Sequence, residues 1–201
     1  MMIRLRVFFL PLLLLVFLWV PVLPASACVG KTLVIGATEE PQQQVLAQLL
    51  AVLISERTGT TVKIVRHKTH RQLHEALLRA ELDMYVEYTG VGQVEILGRD
   101  PISDPKALYA AVKQSYNSEL NLIWLKPFGF DAPGVAPADV PAEAAPVVRK
   151  DTLKKFPALA RLINKLGGRI DLATIRRLED EAASRPPEQV ARNFLKANRL
   201  I

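Results

Sequence analysis

The chain has 201 residues, half of them hydrophobic, and a formal net charge of +6 at pH 7. This length suffices for one domain with a substantial core and is too short for two well-filled domains. Basic residues are scattered among acidic ones along amphipathic segments, and aromatic residues do not interleave with them. The composition therefore argues against a nucleic-acid-binding surface.

The first 27 residues have the layout of a secretory signal peptide. Two arginines lie before residue 7, an apolar run covers residues 7–22, and Ala25-Ser26-Ala27 follows. The apolar run is shorter than the ~20 residues that a membrane-spanning helix needs. We therefore expect cleavage after Ala27 and a periplasmic location, with an uncleaved membrane anchor as the alternative.

Cys28 is the only cysteine and directly follows the expected cleavage site. A disulfide within the chain is therefore impossible. Bacterial lipoproteins carry a cysteine at this place, usually with Leu three positions earlier, where this chain has Ala25. Cys28 is a candidate lipidation site, and so a candidate point of membrane attachment.

Residues 28–130 alternate apolar runs with helical patterns and form the first part of a single predicted α/β lobe. Predicted strands cover residues 32–35, 61–65, 83–88 and 121–125, and predicted helices cover residues 41–57, 69–80, 89–97 and 103–120. Such alternation predicts a three-layer α/β/α lobe with a mostly parallel sheet. Ligands of such sheets bind at the carboxyl ends of the strands.

The rest of the chain begins with a Pro/Ala-rich stretch, residues 131–145, which lacks apolar periodicity and is interpreted as a semi-rigid linker or surface loop. The C-terminal part of the lobe, residues 146–201, begins with a short predicted strand at 146–148. Predicted helices then cover residues 152–166, with a break at Pro157, and residues 171–184 and 187–198.

Four segments carry a family resemblance. They are ELDMYVEYTG (residues 81–90), NLIWLKPFGF (121–130), APVVRKDTL (145–153) and VARNFLKANRLI (190–201). In this order they resemble motifs of the glycine betaine, choline and carnitine substrate-binding proteins of ABC importers. The resemblance implies a lobe like domain 1 of a type II periplasmic binding protein, a quaternary-amine solute, and an ABC permease as partner.

The resemblance also implies a missing lobe. Members of this family carry a second lobe, on the order of 100 residues, between the second and third of these segments. In this chain the linker at 131–145 stands in its place. Because the second lobe leaves and returns at one hinge, a short linker can close the gap in a single lobe.

The predicted ligand-binding residues centre on the first matching segment. A quaternary ammonium cannot donate a hydrogen bond, and aromatic faces attract it by roughly 0.5–2 kcal/mol per contact. Tyr85 and Tyr88 suit that role. They point to opposite faces of a strand, and Tyr88 lies nearer the carboxyl end. The alternative is that both tyrosines only pack under helices.

Polar neighbours complete the predicted site. Glu87 could complement a cation, and Thr89 with the amides from Gly90 onward could meet a ligand carboxylate. The alternative for Thr89 is a helix cap alone. Gln43 is the one residue that segment 37–43 retains from the family's first ligand-binding loop.

Solute binding by one lobe is expected to be weak or absent, because small-ligand pockets usually bury ~70–90% of the ligand. The alternative function is a protein-interaction module that docks on a permease, on a second binding-protein chain or on a copy of itself. An exposed apolar patch would favour the module, and a polar shelf would favour a solute.

Other chemistry finds little support in the sequence. His70 and His74 stand one helical turn apart and could chelate a metal, but a solvated helix start is the preferred interpretation. The chain has no nucleophile elbow, phosphate loop or paired-cysteine motif. We therefore expect no enzymatic activity, no metal and no cofactor.

Overall fold

A computed structural model describes residues 32–137 and 140–201, and both the signal segment and Cys28 lie outside these ranges. The strands are β1 (Leu33–Ala37), β2 (Val62–Arg66), β3 (Met84–Tyr88), β4 (Leu122–Trp124) and β5 (Ala144–Arg149). The α-helices are α1 (Pro41–Thr58), α2 (His70–Leu78), α3 (Pro105–Glu119), α4 (Lys150–Lys155), α5 (Leu159–Ile163), α6 (Leu172–Ser184) and α7 (Pro187–Ala197). A π-helix (Val91–Ile96) follows β3, and a short 3₁₀ turn (Asn164–Leu166) follows α5.

The five strands form one sheet in the order β2-β1-β3-β5-β4. β1 pairs in parallel with β2 and β3, whereas β5 pairs antiparallel with both β3 and β4. Strands β1 to β4 therefore run in one direction and β5 runs in the other. The predicted mostly parallel sheet is confirmed, and β5 begins at the edge where the other strands end.

Helices cover both faces of the sheet, and each face has its own apolar cluster. One cluster joins α1, α5, α6 and α7 to Met84, Val86 and Tyr88 of β3. The other joins α2 and α3 to Tyr85 of the same strand. This alternation follows from the two-residue period of a strand and confirms the predicted three-layer α/β/α fold.

Local signals set the helix ends. Pro41 occupies the first turn of α1, and Gly59 ends that helix in the left-handed region at φ 68°. The Thr69 hydroxyl accepts from Gln72 N at 3.2 Å, and the Asp104 carboxylate accepts from Ala107 N at 2.7 Å. Both caps lie where the predicted helices 69–80 and 103–120 begin.

The Pro/Ala-rich stretch packs more closely than a surface linker would. Residues 131–137 and 140–143, here called the closing loop, fold back so that Asp131 bridges Glu143 and Ala132 N donates to Ala142 O at 3.0 Å. Ala132 and Ala142 are buried. Strand β5 accordingly starts at Ala144, two residues before the predicted start, because small side chains allow the backbone to approach the sheet edge.

Within the described ranges, no helix is both long enough and apolar enough to cross a membrane. The break predicted at Pro157 is confirmed, since α4 ends at Lys155 and α5 begins at Leu159. The remaining helix ends lie within two residues of the predicted ones.

Candidate functional site

The candidate site lies where β3 ends and the π-helix begins. β1, β2, β3 and β4 end at this edge of the sheet, and the closing loop leads into β5 there. The structure brings the predicted site residues together. Tyr85, Glu87 and Tyr88 lie on β3, Thr89 and Gly90 follow the strand, and Gln43 approaches from α1. Its amide Nε2 donates to Val86 O at 3.3 Å.

Glu87 is the polar centre of the site. Its side chain is wholly buried on the same face of β3 as Tyr85. The carboxylate accepts from the Tyr85 hydroxyl at 3.1 Å and from Tyr88 N at 2.8 Å, and its Oε1 lies 2.8 Å from His70 Nδ1. These partners offset the desolvation that a buried carboxylate would otherwise suffer.

Two histidines of α2 take part in this cluster. His70 pairs with Glu87 while its side chain stays 13% exposed, and His74 is buried with Nδ1 3.3 Å from the Tyr85 hydroxyl. The preferred interpretation of a solvated helix start is therefore wrong for both residues. The start of α2 packs against β3, which turns both imidazoles inward.

The two imidazoles differ in basicity. Burial lowers the pKa of His70, but the charge of Glu87 and its hydrogen bond outweigh burial, so the pKa lies above 6.5. Burial also lowers the pKa of His74, and there the charge of Glu87 offsets it only in part, so the pKa lies below 6.5. The cluster therefore holds a proton on His70 more readily than on His74.

Both tyrosines of β3 are fully buried, on opposite faces of the strand as predicted. The Tyr88 hydroxyl donates to Gln42 Oε1 at 2.6 Å, and its ring meets the His70 ring edge-on at a centroid distance of 5.4 Å. Burial raises the pKa of both phenols, so they stay neutral. Their hydroxyls act as hydrogen-bonding groups inside the lobe.

Thr89 and Gly90 lie beneath the closing loop. The Thr89 hydroxyl donates to Pro141 O at 3.1 Å and accepts from Glu143 N at 3.0 Å, and Thr89 N donates to Glu143 O. The side chain therefore ties the loop to the sheet and does not cap the following helix, whose N-cap is Gly90. The alternative in which Thr89 only caps that helix is therefore wrong.

Gly90 is covered so closely that a side chain would not fit. A Cβ placed on it would lie 2.6 Å from Ala136 Cβ and 2.7 Å from Pro141 O. The Gly90 backbone is ordinary helix at φ −66°, so the need for glycine is steric. The closing loop thus occupies the space directly beyond the carboxyl end of β3.

A second anchor joins two of the segments that carry the family resemblance. Asp83 accepts from Val34 N at 2.8 Å and from the Thr152 hydroxyl at 2.7 Å, while its carbonyl accepts from Arg149 N. Asp83 precedes β3, and Thr152 lies in α4 just after β5. The bonds tie β1, β3 and the start of α4 together at the end of β3 opposite the closing loop.

Sequence reasoning missed Gln42 and the histidines as members of the site. Gln42 is adjacent to the predicted Gln43, and the spacing of His70 and His74 was noted only as a possible chelate. No group of three His, Cys, Asp or Glu side chains that could hold a metal occurs among the described residues. A shallow groove of about 260 Å³ lies elsewhere, between α1, β2 and α7.

Solved structures of similar shape define the class of fold. A glycine betaine/carnitine/choline ABC transporter crystal structure matches with a TM-score of 0.78 at 18% identity, covering 85% of this chain and 99% of that chain. Apo YehZ from Escherichia coli matches with a TM-score of 0.73 at 15% identity, covering 86% and 100%. The chain thus has the fold of periplasmic binding proteins.

The family follows from the sequence. The family model described as the substrate binding domain of ABC-type glycine betaine transport system matches residues 31–134 and 131–197. The chain belongs to this family, whose members are solute-binding proteins and not enzymes. The two matched segments meet at residues 131–134, where the closing loop begins.

Curated relatives are longer than this chain. The carnitine transport binding protein OpuCC of Listeria monocytogenes is 32% identical over 127 residues, which cover 62% of this chain and 38% of that protein. The ergothioneine transport permease/ergothioneine binding protein EgtU of Helicobacter pylori is 31% identical over 133 residues, covering 61% and 22%. The match therefore spans well under half of each relative.

Proposed function

We propose that the chain is a substrate-binding-type component of an ABC import system for quaternary amines, and that this lobe alone holds such a solute only weakly. The family of the chain and the carnitine-binding relative support the solute class. The observation that carries the weak binding is the closing loop, which covers Thr89 and Gly90 at the edge where a solute would enter.

The ligand-binding roles of Tyr85, Glu87, Tyr88, Thr89 and Gly90, and of Gln43, belong to this proposal. Both tyrosine rings are buried, so a cation reaches an aromatic face only after the loop or the His70 side chain moves. A pocket that retains a small ligand buries ~70–90% of its surface. We therefore expect a dissociation constant above about 1 mM, equivalent to less than about 4 kcal/mol of binding free energy.

An ABC permease is the partner that this function requires, and a second binding-protein chain could supply the opposing wall. The protein-interaction module is less favoured. Among the described residues, the large hydrophobic side chain that is exposed is Leu78, at 47%, and it lies at the end of α2. A lone exposed leucine gives no apolar patch of the size that protein interfaces use.

Export completes the proposal. Substrate-binding proteins of ABC importers act outside the cytoplasm, and we propose that residues 1–27 direct export and that Cys28 is the first residue of the mature protein. Intact mass spectrometry of the exported protein checks both points. An unmodified mass starting at Cys28 would exclude lipidation, and a mass that includes residues 1–27 would exclude cleavage.

An amide NMR titration of the purified protein with glycine betaine, choline and carnitine, up to high millimolar concentration, tests solute binding. We expect saturable shifts clustered at residues 87–90 with a dissociation constant above 1 mM. Micromolar binding would contradict the weak-binding proposal. Absence of any shift would exclude direct solute capture and leave the interaction module.

A loop variant separates the closing loop from the rest of the site. In this variant a Gly/Ser segment of the same length replaces residues 133–141, while Asp131 and Glu143 remain to bridge the ends. If the loop hinders access, the variant binds choline more tightly than the unaltered chain. Leu78→Ala, at the exposed end of α2, is the matched surface control. An unchanged dissociation constant in the loop variant would show that the loop is not the obstacle.

A further inference from the structure

We propose that protonated His70 is a resident cation of the candidate site, held between Glu87 and Tyr88 where a quaternary ammonium would otherwise be placed. His70 is thereby a specificity-determining residue, since a solute cation must displace it or approach it against its charge. The competition with solute rests on the proposed function. The charge state and position of His70 do not.

The geometry gives His70 the two contacts that a bound cation would make. One is the carboxylate of Glu87, wholly buried and 2.8 Å from Nδ1. The other is the aromatic ring of Tyr88, at 5.4 Å between centroids. A buried carboxylate favours a positive charge beside it, and an aromatic ring does so where the ring presents its face to the charge.

Three acidic groups on different elements act on His70. Glu87 faces it from β3, Glu40 from the residue before α1, and Glu95 from the π-helix, and all three charges raise its pKa against the effect of burial. The imidazole side chain is largely buried at 13% exposure. A buried carboxylate without a counter-charge is costly, so retention of the proton stabilises Glu87 as much as it does His70.

The sign of the pH dependence follows from the raised pKa. His70 contributes its stabilisation in full below its unfolded pKa of about 6.5. That contribution is lost as the pH rises through the higher folded pKa. His74 has a lowered pKa and acts in the opposite direction, because its burial as a neutral ring is opposed as the pH falls below 6.5. A comparison with His70→Gln therefore isolates His70.

The decisive measurement is the NMR titration of the histidine rings in the purified protein. We expect the pKa of His70 to lie above 6.5, and to fall below 6.5 in Glu87→Gln, where burial acts without the carboxylate charge. A neutral imidazole that donates Nδ1–H to Glu87 would give the same 2.8 Å distance. A pKa below 6.5 in the unaltered chain would identify that neutral form and overturn the proposal.

The pH dependence of stability gives a second test of the charge on His70. The stability difference between the unaltered chain and His70→Gln should shrink as the pH rises from 6 through the folded pKa of His70, and a constant difference would overturn the proposal. His67→Ala is the control, since His67 precedes α2 and is not paired with Glu87. It should leave the ring titration of His70 unchanged.

Removal of the imidazole in His70→Ala tests whether the site accepts an external cation. In His70→Ala the space of the ring is open to a small quaternary ammonium, and we expect tetramethylammonium or choline to raise its melting temperature in a saturable way that the unaltered chain at pH 6 does not show. Equal stabilisation of both proteins would place the ammonium elsewhere and overturn the competition. If neither protein binds choline at any pH while His70 titrates above 6.5, the proposed function fails and the resident cation stands.

Discussion

Thr89→Val removes the hydroxyl that ties the closing loop to the sheet while keeping nearly the same shape. In the structure this hydroxyl makes two hydrogen bonds, to Pro141 O at 3.1 Å and from Glu143 N at 3.0 Å, on a side chain with no exposed surface. Each such bond contributes about 0.5–1.5 kcal/mol net, so the substitution should lower the free energy of unfolding by about 2 kcal/mol.

Chemical denaturation monitored by circular dichroism measures this loss. For a domain of this size about 2 kcal/mol corresponds to a fall of roughly 4–8 °C in melting temperature. Hydrogen exchange adds a local readout, because the Glu143 amide loses its acceptor and should exchange faster. Thr89→Ser is the matched control, since it retains both bonds and loses one methyl group, at a cost of about 0.8 kcal/mol.

Two results would refute this reasoning. A Thr89→Val protein within about 0.5 kcal/mol of the unaltered chain would show that the two bonds contribute nothing net. Unchanged exchange at the Glu143 amide would show that the loop is held by other contacts. Either result would also weaken the argument that the closing loop restricts access to Gly90.

Two other substitutions probe the two ends of β3, Gly90 after the strand and Asp83 before it. Gly90→Ala keeps a permitted helical backbone but places a Cβ 2.6 Å from Ala136 Cβ, so we expect a loss of about 1–3 kcal/mol in urea unfolding from overpacking; a variant as stable as the unaltered chain would contradict the close packing. Asp83→Asn replaces one of two acceptor oxygens with an amide donor, so one of the bonds from Val34 N and the Thr152 hydroxyl is lost. The expected loss is about 1–3 kcal/mol, and Thr152→Val, which removes the second of these bonds alone, should cost no more than Asp83→Asn does.

Local features of the fold could be predicted from the sequence because their causes are local. Thr69 and Asp104 accept bonds from residues three positions later, and Gly59 meets the conformational demand of a helix end within its own helix. The opposite orientation of Tyr85 and Tyr88 follows from strand geometry alone. These signals need no knowledge of what lies across the sheet.

The contacts that define the site are tertiary, and the sequence could not supply them. His70 and Glu87 are 17 positions apart in the sequence. They meet only because the first turn of α2 packs beside the carboxyl end of β3. The closing loop has no apolar period, so nothing in its composition showed that Ala132 and Ala142 are buried or that Ala136 rests on Gly90. The hydrophobic patterns predicted the layers of the fold. The burial of each polar side chain depended on how the helices and the closing loop pack on the sheet, which the patterns do not show.

The bridge between Asp131 and Glu143 determines how well the closing loop can tolerate an insertion. Its two ends are already fixed side by side by pairing with each other and by the bond from Thr89 N to Glu143 O at 3.1 Å. The entropy of closing a flexible segment between fixed ends grows slowly, by about 0.6 kcal/mol for each doubling of its length. An autonomous domain grafted between these ends should therefore leave the five-stranded sheet nearly as stable as it is now, which makes the tip of the loop a natural insertion point.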